Sequence, residues 1–289
     1  MCFFVPVKIG RARRRRRTRP RASLPAACLL ILASCVAPKS FSASWQSTLT
    51  KDPPGTFPEL RPLRATYHFG WAGLTAATGD VRFTKPSERR FQLEGTGRTT
   101  GFVRALWKLD VNYRALADAE TLRPVETTQT ESYRAKKIIT HLAFMSTGVT
   151  RARTEGRTGS ERTKTREFSF PNLFDLHAAL LYLRSQPLGD GSVHRIVVYP
   201  ATSAYLATVT VIGREKITVR AGTYNAIKVD LQLHRLGKNL ELEPHRKFRR
   251  ATIWISDDSD RLLLRTEAQI FVGTVFAELQ SVRFEEMKH

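Results

Sequence analysis

Phe170-Pro-Asn-Leu-Phe-Asp-Leu-His-Ala-Ala-Leu-Leu-Tyr-Leu-Arg184 is the stretch whose reading decides the fold. Leu173, Leu176, Leu180 and Leu183 recur at helical spacing. Asn172 or Asp175 can cap the first turn, and Pro187 with Gly189 stops the run. The spacing predicts one helix in a chain that otherwise reads as strand after strand. Ala179, Leu181 and Tyr182 widen its apolar surface beyond a single stripe, so the helix is covered on more than one side or borders a cavity. A core helix is the plainer of these two readings.

Outward from that helix the period changes from 3.6 to 2. Leu109 to Ala115 alternates apolar and polar, and so does Tyr224 to His234, where Ile227, Val229, Leu231 and Leu233 share one face. Before the helix, strands are predicted at Leu63 to Phe69, Thr75 to Phe83, Phe91 to Glu94, Thr121 to Tyr133, Lys136 to Met145 and Gly148 to Arg153. Gly70 to Gly73 reads as a turn, Gly79 as a bulge or close approach, and Thr154 to Thr165 as a polar loop. After the helix come Val193 to Tyr199, Tyr205 to Ile212, Lys216 to Val219, Arg250 to Ile255, Leu262 to Phe271 and Thr274 to Phe284, with Ser256 to Asp260 as a turn. The pattern predicts a mainly β protein, a large antiparallel sheet curled into a barrel or half-barrel with one helix against its concave side.

The 289 residues carry a formal charge of +21, but Lys8 and the arginines between Arg11 and Arg21 supply +9 of it, so +12 remains for the rest. The excess is therefore not read as a nucleic-acid signal. Basic clusters at Arg151 to Arg166 and His245 to Arg250 could favour an anionic envelope surface, although a solvated face is the plainer reading. Cys2, Cys28 and Cys35 all lie early, leaving the body without a disulfide, thiolate metal site or thiol nucleophile.

Residues 1–43 have the layout of a secretory leader: an arginine-rich start, the apolar run Ala26 to Ser34, then small residues. The run is too short to span a bilayer, which takes about 20 residues. Leu32-Ala-Ser-Cys35 resembles the lipobox of bacterial lipoproteins, which makes Cys35 the lipidation site. Cleavage near Ser42 or Ala43 is the alternative. The division that follows is a signal peptide at 1–35, a Pro/Ser/Thr-rich tether at 36–62, and a single β-rich domain at 63–286. Membrane contact is then expected only through the lipid. Val36 stands where an Asp would retain an enteric lipoprotein at the inner membrane, so the resemblance implies the outer membrane. Without lipid the protein would be soluble in the periplasm.

Chemical motifs are sparse. The seven histidines form neither His-x-His nor His-Glu-x-x-His, so no metal and no cofactor are expected. No nucleophile elbow or phosphate loop is present, and Gly95-Thr-Gly97 lacks the rest of a dinucleotide fingerprint. Asp257 to Asp260 lacks the glycine and terminal glutamate of a calcium loop and reads as a turn. Carboxylates paired in space for glycan hydrolysis would be invisible in sequence.

Tyr67-x-Phe-Gly-Trp-Ala-Gly73-Leu-x-Ala-Ala-x-Gly79 and Asp175 to Arg184-x-x-Pro-Leu188 resemble an uncharacterised bacterial family, domain of unknown function 3108. Val211 to Glu215, Ala221 to Ala226, Trp254 to Asp257 and Gly273 to Leu279 follow in the family's order. The resemblance spans Leu63 to Phe284 and implies an exported, mainly β envelope protein without a settled activity. The basic loop at Arg151 to Arg166 departs from the pattern. By analogy with periplasmic lipoprotein carriers, Leu176, Leu180, Tyr182 and Leu183 would bind a lipid or other amphipathic ligand between helix and sheet. Such a carrier is non-enzymatic and needs a cavity of at least about 300 Å³. An envelope scaffold with a full core is the alternative, and a glycan or cell-wall hydrolase a third.

Overall fold

A computed structural model describes residues 44–56, 61–157, 159–244, 250–270 and 273–285. The leader with Cys35 and Val36, and residues 245–249 of the second basic cluster, lie outside these. Eight strands come first: β1 (Leu63–Trp71), β2 (Leu74–Ser87), β3 (Arg90–Thr99), β4 (Leu109–Asp118), β5 (Pro124–Tyr133), β6 (Lys137–Met145), β7 (Gly148–Gly156) and β8 (Arg162–Ser169). A short helix, α1 (Gly101–Leu106), interrupts the β3–β4 connection, and α2 (Leu176–Ser185) follows β8. Then come β9 (Val193–Val198), β10 (Tyr205–Val219), β11 (Gly222–Leu236), β12 (Leu242–Pro244), β13 (Arg250–Ser256), β14 (Leu263–Ile270) and β15 (Gly273–Phe284).

All join one antiparallel sheet, ordered β8-β7-β6-β5-β4-β3-β2-β1-β15-β14-β13-β11-β10-β9, with β12 on the end of β11. Strands far apart in that order meet at α2. Leu181 and Tyr182 share one core with Leu63 and Phe83 on one side of the sheet order and with Ile196, Leu264 and Leu279 on the other. The sheet is therefore curled around the helix, as the alternating pattern predicted. It remains open between β8 and β9, and the chain itself fills that gap. Phe174 bridges to β9 in parallel, its N–H 2.9 Å from the Val197 carbonyl and its own carbonyl 2.7 Å from the Tyr199 N–H. Residues 50–55 run along the same seam: the Thr50 N–H donates to the Arg195 carbonyl at 2.9 Å, and the Tyr182 hydroxyl donates to the Asp52 carbonyl at 2.9 Å. A described part of the stretch read as a tether is thus laid along the body. Gly55 fits there because it has no Cβ, which would stand 1.9 Å from the Ser185 carbonyl oxygen.

Several local readings are corrected. The helix begins at Leu176 rather than near Phe170, because Asn172 takes a left-handed φ of +58° and Phe174 is committed to β9. Asp175 is the cap that forms. The polar loop Thr154 to Thr165 is instead the end of β7 and the start of β8, an edge strand too exposed to show alternation. Tyr205 to Ile212 and Lys216 to Val219 are one strand, since Gly213 makes a bulge that shifts register without ending the ladder. Gly79 is not a bulge; it pairs in register with Tyr67 and Gly97, and the β1–β2 shift lies at Phe69/Gly70. α1 was not anticipated.

Candidate functional site

The capping of α2 fixes the site. Asp175 Oδ1 accepts the Ala178 N–H at 2.7 Å, and Thr127 Oγ1 donates to Oδ2 at 2.5 Å from the middle of β5. At the other end, Arg261 Nη1 donates to the carbonyls of Arg184 (2.7 Å) and Gln186, occupying acceptors that a helix end leaves free. Arg261 is held there by the β13–β14 turn, where Asp258 Oδ1 accepts the Asp260 and Arg261 N–H groups, both at 3.0 Å. The acidic run read as a turn is that turn.

One side of α2 packs closely through Ala178, Leu181 and Tyr182. The other does not. Leu176 and Leu180 remain half-buried and face a chamber of about 120 Å³ between α2, β1 to β4 and parts of β14 and β15. Phe69, Val81, Phe83, Leu93 and Val111 form much of its wall, and Gly79 and Gly95 leave space there by having no side chain. Of the four residues expected to bind ligand, Leu176 and Leu180 line the chamber. Leu183 packs towards Leu188 and the core, and Tyr182 lies against Phe174, ring centroids 5.1 Å apart.

Polar groups that sequence reasoning passed over sit in the same wall. His177 is 2% exposed, its Nε2 is buried without a hydrogen-bond partner, and it lines the chamber. Burial, with the Arg184 charge beside it, lowers its pKa to about 3, so the ring is neutral at physiological pH. Arg184 also lines the chamber and donates to the Asp260 carbonyl; burial lowers it to about 10, so it keeps its charge. Burial likewise raises the Tyr67 phenol, which donates to the Leu263 carbonyl at 2.9 Å. The signal in sequence was the His177 and Arg184 pair, seven apart and so on one face of an otherwise apolar helix. No carboxylate lines the chamber, and among the described residues no three metal-binding side chains cluster.

A larger hollow of about 790 Å³ lies over the polar residues of β1 to β5 and β15. Two of its arginines, Arg64 and Arg82, are both bound by Glu285 at its edge, the latter at 3.0 Å. Of the first basic cluster, Arg151 is buried and donates to the Thr202 carbonyl at 2.9 Å, while Arg162, Lys164 and Arg166 are exposed on β8.

Fold and chamber together define a helix-plugged, open antiparallel β-barrel with a small apolar chamber. Residues 66–280 match the family described as protein of unknown function (DUF3108), and the chain belongs to that family. No curated protein matches it. Among solved structures, it is similar to a β-barrel-like protein of domain of unknown function DUF1849 from Brucella abortus, with a TM-score of 0.49, 8% identity, and 80% of this chain and 100% of that one covered. It also overlaps a candidate lipoprotein from Parabacteroides distasonis (TM-score 0.34, 9% identity, 81% and 100% covered). A candidate exported protein with a YmcC-like fold from Bacteroides fragilis gives 0.31, 11% identity, and 78% and 98% covered. Likenesses at these values carry no functional assignment.

Proposed function

We propose that this is a non-enzymatic envelope protein that binds an amphipathic ligand by an apolar group placed in the chamber. The observation that carries this is the buried, unpartnered His177 Nε2 in a mainly apolar wall. Such an atom is costly unless something bonds to it, and a ligand with one hydrogen-bonding head and an apolar body would satisfy both surfaces. Arg184 beside it favours an acceptor or anionic head. At about 120 Å³ the chamber is smaller than the 300 Å³ expected of a whole-ligand site. It is close to apolar cavities of about 150 Å³ that take a benzene-sized group. The carrier reading is therefore narrowed to one end of a lipid or similar molecule. The small volume also favours the second reading, an envelope scaffold whose core is nearly full.

Native mass spectrometry of the protein isolated from its own cells separates the two. The proposal expects a co-purifying amphiphile on wild type that is lost in Leu180→Trp, which fills the chamber. If wild type carries none and takes up no apolar fluorescent probe, the scaffold reading stands. The envelope location rests on the leader, with Cys35 as the lipidated first residue. An intact mass that starts after Ser42 or Ala43 without acyl groups would refute the anchor and leave a soluble periplasmic protein.

A further inference from the structure

Among the described residues, one end of the sheet carries a group of exposed apolar side chains. By strand pairing, the start of β15, the β1–β2 turn, α1 and the β5–β6 turn are successive neighbours there. The Ala72 N–H donates to the Thr274 carbonyl at 2.8 Å, the Thr100 N–H donates to the Ala76 carbonyl at 3.0 Å, and Leu109 pairs with Tyr133. α1 buries none of its residues. Phe102 is 76% exposed and Leu106, one helical turn on, is 69% exposed; Leu74 on the adjoining turn is 70% exposed. Trp71 and Trp107 are exposed beside them, Trp107 with its ring 6.4 Å from Tyr133.

The charges around this patch are mainly basic. Of the carboxylates at this end, Asp110 and Glu155 are bonded to Arg104 at 2.8 Å and to Lys136 at 2.9 Å, while Glu131 is buried on β5 and accepts the Tyr133 hydroxyl at 2.7 Å. Arg98, Lys108, Arg134 and Lys137 stand exposed around them. Arg134 also donates to the Ala105 carbonyl and so holds α1 in its outward pose.

We infer that this end of the barrel, formed by the β1–β2 turn, α1 and Trp107, seats in the surface of an anionic lipid bilayer. The apolar side chains project from turns and a single helical turn rather than lining a groove. Projections suit insertion into a deformable lipid phase better than docking into a rigid protein. Phe102, Leu106 and Leu74 would enter the acyl boundary. Trp71 and Trp107 would lie at headgroup depth, where indole rings prefer to be, and the basic ring would meet lipid phosphates. A second copy is a poor occupant, because it would bring two basic rims together. This contact is separate from any lipid on Cys35 and independent of the chamber's ligand.

The test uses the full chain with Cys2, Cys28 and Cys35 changed to Ser, so that no acyl group contributes. An environment-sensitive fluorophore is attached at Leu106→Cys or, as a control, at Met145→Cys, an exposed site on the β6–β7 turn at the opposite end of the sheet. With phosphatidylglycerol vesicles the inference expects a blue shift at position 106 and none at 145. The shift should be smaller with phosphatidylcholine, at high salt, or when Lys108→Glu is added, and should be lost with Phe102→Asp. No shift at 106, or an equal shift at both sites, would overturn it, even if the leader holds the protein on the vesicle. So would a wild-type dimer in light scattering that Leu106→Asp dissolves, since the patch would then serve a second copy.

Discussion

Leu180 and Leu181 are neighbours on one helix and both border the chamber, yet Leu181 is also buried in the main core while Leu180 stays half-buried, and their alanine variants measure how much of each side chain is packed. Leu181 is 1% exposed within the main core, so Leu181→Ala strips closely packed contacts and enlarges the space beside it, and should cost about 3 to 5 kcal/mol. Leu180 is half-buried against space that already exists. Its truncation forfeits only part of the burial of a leucine, about 1 to 2 kcal/mol. Both changes alter helix propensity identically, so the difference of about 2 kcal/mol reports packing alone. Urea unfolding of the two variants and wild type, compared at a common slope, gives that difference from the midpoints. Equal losses would mean that Leu180 is as tightly packed as Leu181, and the argument from the chamber would fail.

Two further outcomes follow from the ends of α2. Burial raises Asp175 from 3.8 to about 6 despite its hydrogen bonds, so the folded state keeps a proton that the unfolded state loses. Stability should therefore fall as pH rises from about 4 through 6, by on the order of 3 kcal/mol, and Asp175→Asn should flatten that slope in unfolding measured across the window. Gly55→Ala should displace the 50–55 segment from Ser185, seen as faster hydrogen exchange at the Thr50 amide with α2 otherwise unchanged. Unaltered exchange would mean the segment does not depend on that close approach.

Much of the architecture was legible because one wet face and one dry face leave a period of two, as in Leu109 to Ala115 and Ile227 to Leu233. Where that asymmetry disappears, the pattern does too. β8 is exposed nearly throughout and its start read as a loop, while the start of the helix was left between Asn172 and Asp175 because Leu173 and Phe174, at helical spacing, are apolar for other partners, Phe174 for β9. α1 has no buried face, so it left no helical period to find. The stripe Leu176 and Leu180 pointed to the chamber, but its polar end depends on Arg261 and on the turn around Asp258, more than 70 residues beyond α2. No local spacing can encode that meeting. The chamber's volume is likewise a sum over glycines and side chains from six strands.

The sheet order has a kinetic side. Almost every neighbouring pair of strands is consecutive in the chain; β11 and β13 skip only the short β12, and β1–β15 is the long-range exception. Arg64 and Glu285, which join at that seam, are 221 positions apart. Each half of the sheet can therefore zip up locally, while the seam must wait for the last strand to be made, leaving the β1 edge unpaired in the meantime. The Glu285 N–H already reaches the Pro62 carbonyl at 2.8 Å. Linking those ends, at the loss of the 50–55 segment from the seam, and reopening the chain between β8 and Phe170 would yield the order α2, β9 through β15, then β1 through β8, a continuous meander in which every strand ladder is local. Such a permutant should fold faster than the natural order and expose its edges for less time.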